Sequence, residues 1–184
     1  MLRRTPGGAY CKEATSVHLY LIRHGIAVPY GTPGVASDAD RDLTASGTKK
    51  IRRNARALAR LGEVIAEIWT SPLERARRTA EIMADELRVT APIRVVDALQ
   101  PDKDFSSLRD ELERQLEKTG IALVGHEPDL GELATYLLTG VRSPSFRFKK
   151  GGVACIEVYQ VNPPPRCQLR WLLTPRQMAA IAGD

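Results

Sequence analysis

The sequence lacks any apolar run approaching the roughly 20 residues that a membrane-spanning helix needs, which excludes a helical membrane span from this stretch. Aromatic residues make up only 5% of its 184 positions. That is too few for the stacking platforms that hold single-stranded nucleic acid, and no DNA- or RNA-binding module signature is present. Cysteine is scarce too: Cys11, Cys155 and Cys167 are an odd number without metal-ligand spacing, so a reduced cytoplasmic protein is the simplest reading. The opening MLRRTPGGAYCKEATS has the arginine pair of a signal peptide but no apolar core to follow it. It reads as a flexible extension over residues 1–16. With no internal repeat, low-complexity segment or interdomain linker, residues 17–184 read as one domain.

What is present is an ordinary globular composition, 43% hydrophobic and 27% charged, with a net charge of +5. Much of that charge sits in two clusters, Arg52, Arg53, Arg56 and Arg60, then Arg75, Arg77 and Arg78. The first falls on a helical pattern and reads as a solvated face.

Along the chain, apolar residues at 17–22 predict a strand. Thr44 precedes a helix with Ile51, Ala55, Leu58 and Ala59 on one face, and Gly62 ends it. Residues 64–70 predict a second strand. Ser71 and Pro72 supply an N-cap and a first helical position for the helix that follows. A short third strand is expected at 93–96 and a helix at 105–118 carrying Leu108, Leu112 and Leu116, stopped by Gly120. The continuously apolar 121–124 reads as a strand covered on both faces, and a helix runs on from His126 to Leu138. Strands at 153–159 and 168–173 flank a proline-rich loop as an antiparallel hairpin. Thr174 and Pro175 cap a last helix. The alternation predicts an α/β three-layer sandwich, with a mostly parallel central sheet flanked by helices and a C-terminal antiparallel hairpin.

In open α/β sheets ligands bind beyond the carboxyl ends of the strands. The segments following the first, second and fourth strands are Arg23-His24-Gly25, Thr70-Ser-Pro-Leu-Glu-Arg75 and Gly125-His126-Glu127. A parallel sheet puts all three on one rim. Two arginines, two imidazoles and a helix start make an anion site, best matched to a phosphoryl group. A neutral imidazole is a competent nucleophile toward phosphorus, and the remaining groups would stabilise the charge spread over the oxygens in flight. Gly25 would let the backbone approach closely and leave the imidazole uncrowded. Each piece alone is weak; the ordered conjunction is strong.

The segments LIRHG, TSPLERARRTA and LVGHEPDL resemble the three motifs of the histidine phosphatase superfamily, which includes the phosphoglycerate mutases. Arg41-Asp-Leu-Thr44 with Gly47, Glu127-Pro-Asp-Leu130, Phe148-Lys-Lys-Gly151 and Trp171-Leu-Leu-Thr-Pro175 are similar to its SixA branch, the phosphohistidine phosphatases. The resemblance covers about residues 17–180. It implies His24 as nucleophile, Arg23 and Arg75 as clamps on the phosphoryl oxygens, and His126 as stabiliser of the transition state. Gly25, Arg41 and Glu127 would contribute to substrate binding. No metal or other cofactor is implied, and with both rim histidines committed to phosphate, His18 alone in its strand could not build a metal site. The carboxylate acid that many superfamily members carry after the third strand has no counterpart in a recognisable pattern, although Asp97, Asp102 and Asp104 are available. The chain also has no room for the helical insertions that lid the site in relatives acting on small esters. Both departures favour a phosphohistidine on a protein, such as a phosphotransfer domain. The rival readings are a phosphatase of small esters or polyphosphate-like compounds and a non-catalytic phosphate-binding module.

Overall fold

The computed structural model describes residues 16–183, with the backbone alone for 2–4 and 10–12. The latter form a two-stranded antiparallel ribbon, β1 (Leu2–Arg4) with β2 (Tyr10–Lys12). The expected flexibility of residues 1–16 lies largely outside the described residues.

The remaining strands build one six-stranded sheet: β3 (Val17–Arg23), β4 (Glu67–Thr70), β5 (Arg94–Val95), β6 (Gly120–Gly125), β7 (Val153–Gln160) and β8 (Arg166–Leu173). Their order is β5-β4-β6-β3-β7-β8. The first four are parallel, and β7 and β8 run antiparallel to β3 and to each other. The mostly parallel sandwich with its C-terminal hairpin is therefore the fold.

Five helices cover the sheet. Strand alternation sends Leu19 and Leu21 to one face and Tyr20 and Ile22 to the other. Helices α3 (Ser106–Glu113) and α4 (Asp129–Thr139) pack on the first; α1 (Ala45–Arg60), α2 (Glu74–Leu87) and α5 (Pro175–Ala182) pack on the second. β6 is buried at all six positions, which explains its unbroken apolar sequence. Each large side chain removed from water there contributes roughly 1.5–3 kcal/mol.

Several boundaries differ from expectation. Ser71 is not an N-cap: α2 starts at Glu74, Leu73 precedes it, and no side chain caps the helix. Helix α3 ends at Glu113 rather than 118, and the Glu113 carboxylate accepts from the Val161 and Asn162 amides. Gly120, expected as the helix stop, is the first residue of β6. Strands β4 and β5 are shorter than expected. On α1 the buried face runs through Asn54 and Ala55, and Ala59 is exposed. Thr44 and Thr174 cap α1 and α5 as the sequence suggests.

Cys155 lies opposite Trp171 and Cys167 opposite Val158, so the two thiols are not cross-strand partners; both are free. Among the described residues, no helix is long and apolar enough to cross a membrane.

Candidate active site

Register decides the site. Arg23 pairs with Gly125 across β3 and β6, and Thr70 pairs with Val124 across β4 and β6, so three parallel strands finish level. The backbone then locks the exits together: His24 N–H donates to Gly125 O at 3.1 Å and Ser71 N–H to Val124 O at 3.0 Å. From β3 the chain leaves toward β4 by α1 on one face. From β6 it leaves toward β7 by α4 on the other. The crevice between β3 and β6 is thus a topological switch point, where ligands of open α/β sheets settle.

Both rim histidines face that crevice, with ring centroids 5.0 Å apart. Nδ1 of His24 lies 2.7 Å from Gly25 O. A carbonyl only accepts, so Nδ1 carries the proton and Nε2 keeps its lone pair. His24 is 7% exposed. Burial, reinforced by Arg75, Arg23 and Lys150 and partly offset by the bond to Gly25, lowers its pKa to about 4. His126 is buried as well, and desolvation together with His24, Arg75 and Arg23 lowers its pKa to about 3. Both imidazoles are neutral at pH 7. His126 Nε2 lies 2.9 Å from Ser71 Oγ, and its Nδ1 is buried without a partner.

The arginines frame the pair. Arg23 donates from Nη1 to Phe148 O at 2.7 Å, while its buried Nε has no partner. The turn holding Phe148 is pinned from below. Gly151 N–H is shared between Arg23 O and His24 O, both at 3.0 Å, and Asn54 Nδ2 donates to Gly151 O at 2.6 Å. Arg75, 6% exposed, stands in the first turn of α2. Thr79, one turn later, donates to Arg75 O at 2.7 Å and accepts from Gly25 N–H at 3.1 Å, tying α2 to the strand exit.

The sequence pattern of the histidine phosphatase superfamily (branch 1) matches residues 19–102. An uncharacterised protein of Picosynechococcus sp. is 37% identical over 139 residues, covering 74% of this chain and 82% of that one. The chain belongs to the histidine phosphatase superfamily. Among solved structures, its fold is similar to protein histidine phosphatase SixA complexed with tungstate (TM-score 0.74, 22% identity, 87% of this chain and 98% of that one). It is also similar to SixA of Agrobacterium tumefaciens (0.67, 24%, 86% and 99%). Phosphoserine phosphatase of Entamoeba histolytica has the same fold at 15% identity (0.61, 88% and 98%).

Within this superfamily fold the remaining sequence candidates separate. Gly25 is buried, and a Cβ there would meet Ile51 Cγ1 at 2.9 Å and Leu43 Cδ2 at 3.1 Å. Its missing side chain admits α1, and its carbonyl orients His24. Glu127 accepts from Phe148 N–H at 3.0 Å, and burial raises its pKa despite that bond and nearby Arg23. Glu127 and Arg23 share the wall of a cavity of about 610 Å³ whose rim carries Arg147 and Lys149. Arg41 spends Nε on Val28 O and Nη1 on Asp38 Oδ1, each at 2.7 Å, so it reaches the site through Asp38.

Two of the three candidate acids accept hydrogen bonds from close neighbours. Asp97 accepts from Gln100, Asp104 accepts from Ser106 and pairs with Arg142, and Asp102 offers its backbone N–H to Asp129. His18 is not alone: its donor atom, that of Glu63 and that of Cys155 lie within 4.8 Å of one another. Glu63, however, already accepts from Tyr20 OH at 2.6 Å and Trp171 Nε1 at 3.0 Å. Burial pushes the Cys155 thiol up to about 12. The group is a hydrogen-bonded anchor at the end of the sheet where β3 begins.

Sequence reading missed Asp38, Ser71 as partner of His126, Thr79 and Asn54. Thr79 sits inside the second motif, and Asn54 was legible as a polar residue on the apolar face of α1. Asp38 gave no local signal.

Proposed function

We propose that this protein is a phosphatase that carries the phosphoryl group on His24 Nε2, and that its substrate is a phosphohistidine on a protein. The observation that carries the reading is the His24 tautomer. An imidazole held neutral, with Nδ1–H committed to Gly25 and Nε2 free, is set for in-line attack on phosphorus. Arg23 and Arg75 would hold the equatorial oxygens, and His126 would donate to one of them as charge develops. In the first step a bond forms from Nε2 to phosphorus while the bond to the leaving nitrogen breaks. The leaving imidazole keeps the electron pair and takes a proton from water. In the second step water attacks phosphorus, phosphate departs, Nε2 recovers its pair and one proton returns to solvent. Arginines and imidazoles supply the charge stabilisation, so this route calls on no metal.

Two observations favour phosphohistidine. Asp97 and Asp104 accept from Gln100 and Ser106 rather than from the rim histidines, and a phosphoramidate needs a positioned acid less than an alkyl ester does. Between Arg75 and His126 the one complete helix, α3, commits Leu108 and Leu112 to the core instead of forming a lid, which suits a large substrate such as a phosphotransfer domain. The cavity beside Arg23 supports a second reading, a small phosphate ester, since its volume suits a small organic molecule. A nucleic-acid partner is not part of either reading, and the odd cysteine count places the protein, in our proposal, in the reducing cytoplasm.

The His24→Ala variant should lose hydrolysis of a generic phosphoryl donor, and a labelled donor should leave its phosphoryl group on His24 of the parent protein. Turnover retained in the variant would sink the mechanism. A clear preference for one small ester over a phosphohistidine protein would decide for the second reading.

A further inference from the structure

The Arg75 guanidinium is not idle. Nη1 donates to the backbone carbonyl of Asp38 at 2.7 Å, and Nη2 pairs with its carboxylate at 3.0 Å. The other carboxylate oxygen takes Arg41 Nη1 at 2.7 Å. One carboxylate thus bridges two guanidiniums, one of them almost wholly buried at the phosphoryl site. Asp38 itself lies in an exposed single-turn 3-10 helix (Asp38–Asp40), with its side chain 55% exposed. Its negative charge is felt at His126, whose proton affinity it raises, so the carboxylate lies within electrostatic range of the phosphoryl site.

We propose that Asp38 is a specificity-determining residue, an internal anion that competes with phosphate for Arg75 and repels substrates carrying a second negative charge beside the phosphoryl group. The proposal rests on the phosphatase reading above. A phosphoryl group must displace the carboxylate from Nη2. The Asp38 carbonyl, which is backbone, can stay on Nη1 and keep the arginine aimed. The displaced carboxylate has solvent on its open side and Arg41 on the other, so it swings a short way and remains at the rim. A neutral leaving group such as imidazole passes it without penalty. A carboxylate-bearing one, such as that of 3-phosphoglycerate, meets like charge. Arg41 is then a positioning residue, fixed by Val28 O and acting through Asp38.

The test uses the full chain, with Asp38→Asn and a control, Asp40→Asn. The control removes the same charge two residues away, where the carboxylate meets Ser37 rather than an arginine. Orthophosphate binding, measured by calorimetry at low ionic strength, needs no turnover. Asp38→Asn should bind about fivefold tighter than the parent and Asp40→Asn within about twofold of it, the range expected for losing one partly exposed ion-pair competitor. For turnover, the ratio of kcat/KM for 3-phosphoglycerate to that for phosphoramidate should rise several-fold in Asp38→Asn alone. Unchanged phosphate affinity in Asp38→Asn, an equal effect from Asp40→Asn, or no phosphate binding by any of the three would overturn the proposal. If the parent turns over neither substrate, the phosphatase reading fails while the phosphate titration still decides the role of Asp38.

Discussion

His24 has its two nitrogens assigned by one neighbour. The Gly25 carbonyl takes the proton on Nδ1, and burial keeps a second proton off Nε2. The same burial acts on His126, where proximity to His24 adds to it. Titration of the imidazole resonances by NMR should therefore show His24 and His126 changing protonation near pH 4 and 3, far below the ordinary 6.5. A midpoint near 6.5 for His24 would remove the argument that it is a neutral nucleophile. Binding of a phosphate dianion between Arg23 and Arg75 should raise the His126 midpoint by at least about one unit, because a nearby negative charge favours the imidazolium.

At the level of elements, the site depends on how closely α1 and α2 approach the end of β3. Thr44 anchors α1 by donating N–H and hydroxyl to Ile26 O at 2.8 and 3.2 Å. One turn on, a Cβ at Gly47 would collide with that same carbonyl oxygen. A Gly47→Ala substitution gains about 1 kcal/mol of helix propensity but drives the new methyl into the Ile26 backbone, which costs on the order of 1–3 kcal/mol. The clash should win. Urea denaturation should show a net loss of stability, and kcat/KM should fall as α1 is pushed off the strand exit and Ile51 loses its seat on Gly25. A stabilised Gly47→Ala would show that α1 can move without harm. The turn around Phe148–Gly151 is held just as firmly, through Asn54 and the shared Gly151 N–H, which brings the Phe148 carbonyl to Arg23. Lys149 and Lys150 themselves remain exposed.

For the whole molecule, two neutral buried histidines make stability depend on pH. Their folded pKa values, about 4 and 3, lie below the unfolded value. Between those limits the unfolded chain binds more protons, so stability is fully present above pH 6.5 and is lost as pH falls. Each group contributes up to about 1.4 kcal/mol per pH unit inside that window. The unfolding free energy should therefore drop more steeply from pH 6 to 4.5 in the parent than in a His24→Gln, His126→Gln double variant, in which the carboxylate contributions cancel from the comparison. Equal slopes would mean that the imidazoles are not held neutral by the fold.

Local sequence alone determined a good deal. Strand β6 is legible because a strand covered on both faces must be apolar throughout. Arg23, His24, Arg75 and His126 are legible because strand ends in a parallel sheet share a rim, so short motifs far apart in the chain converge. Thr44 and Thr174 announce their helices because capping is a matter of a few adjacent atoms. Tertiary structure alone decided the rest. That Ser71 serves His126 instead of capping α2 depends on the register of β4 with β6. That Asp38 occupies Arg75 depends on a loop folding back across 37 residues of chain. That His18 has Glu63 and Cys155 for neighbours depends on the loop after α1 reaching the paired strands β3 and β7. These are contacts between residues distant in sequence, and their partners are set by packing and register, which leave no periodic trace in the local order of amino acids.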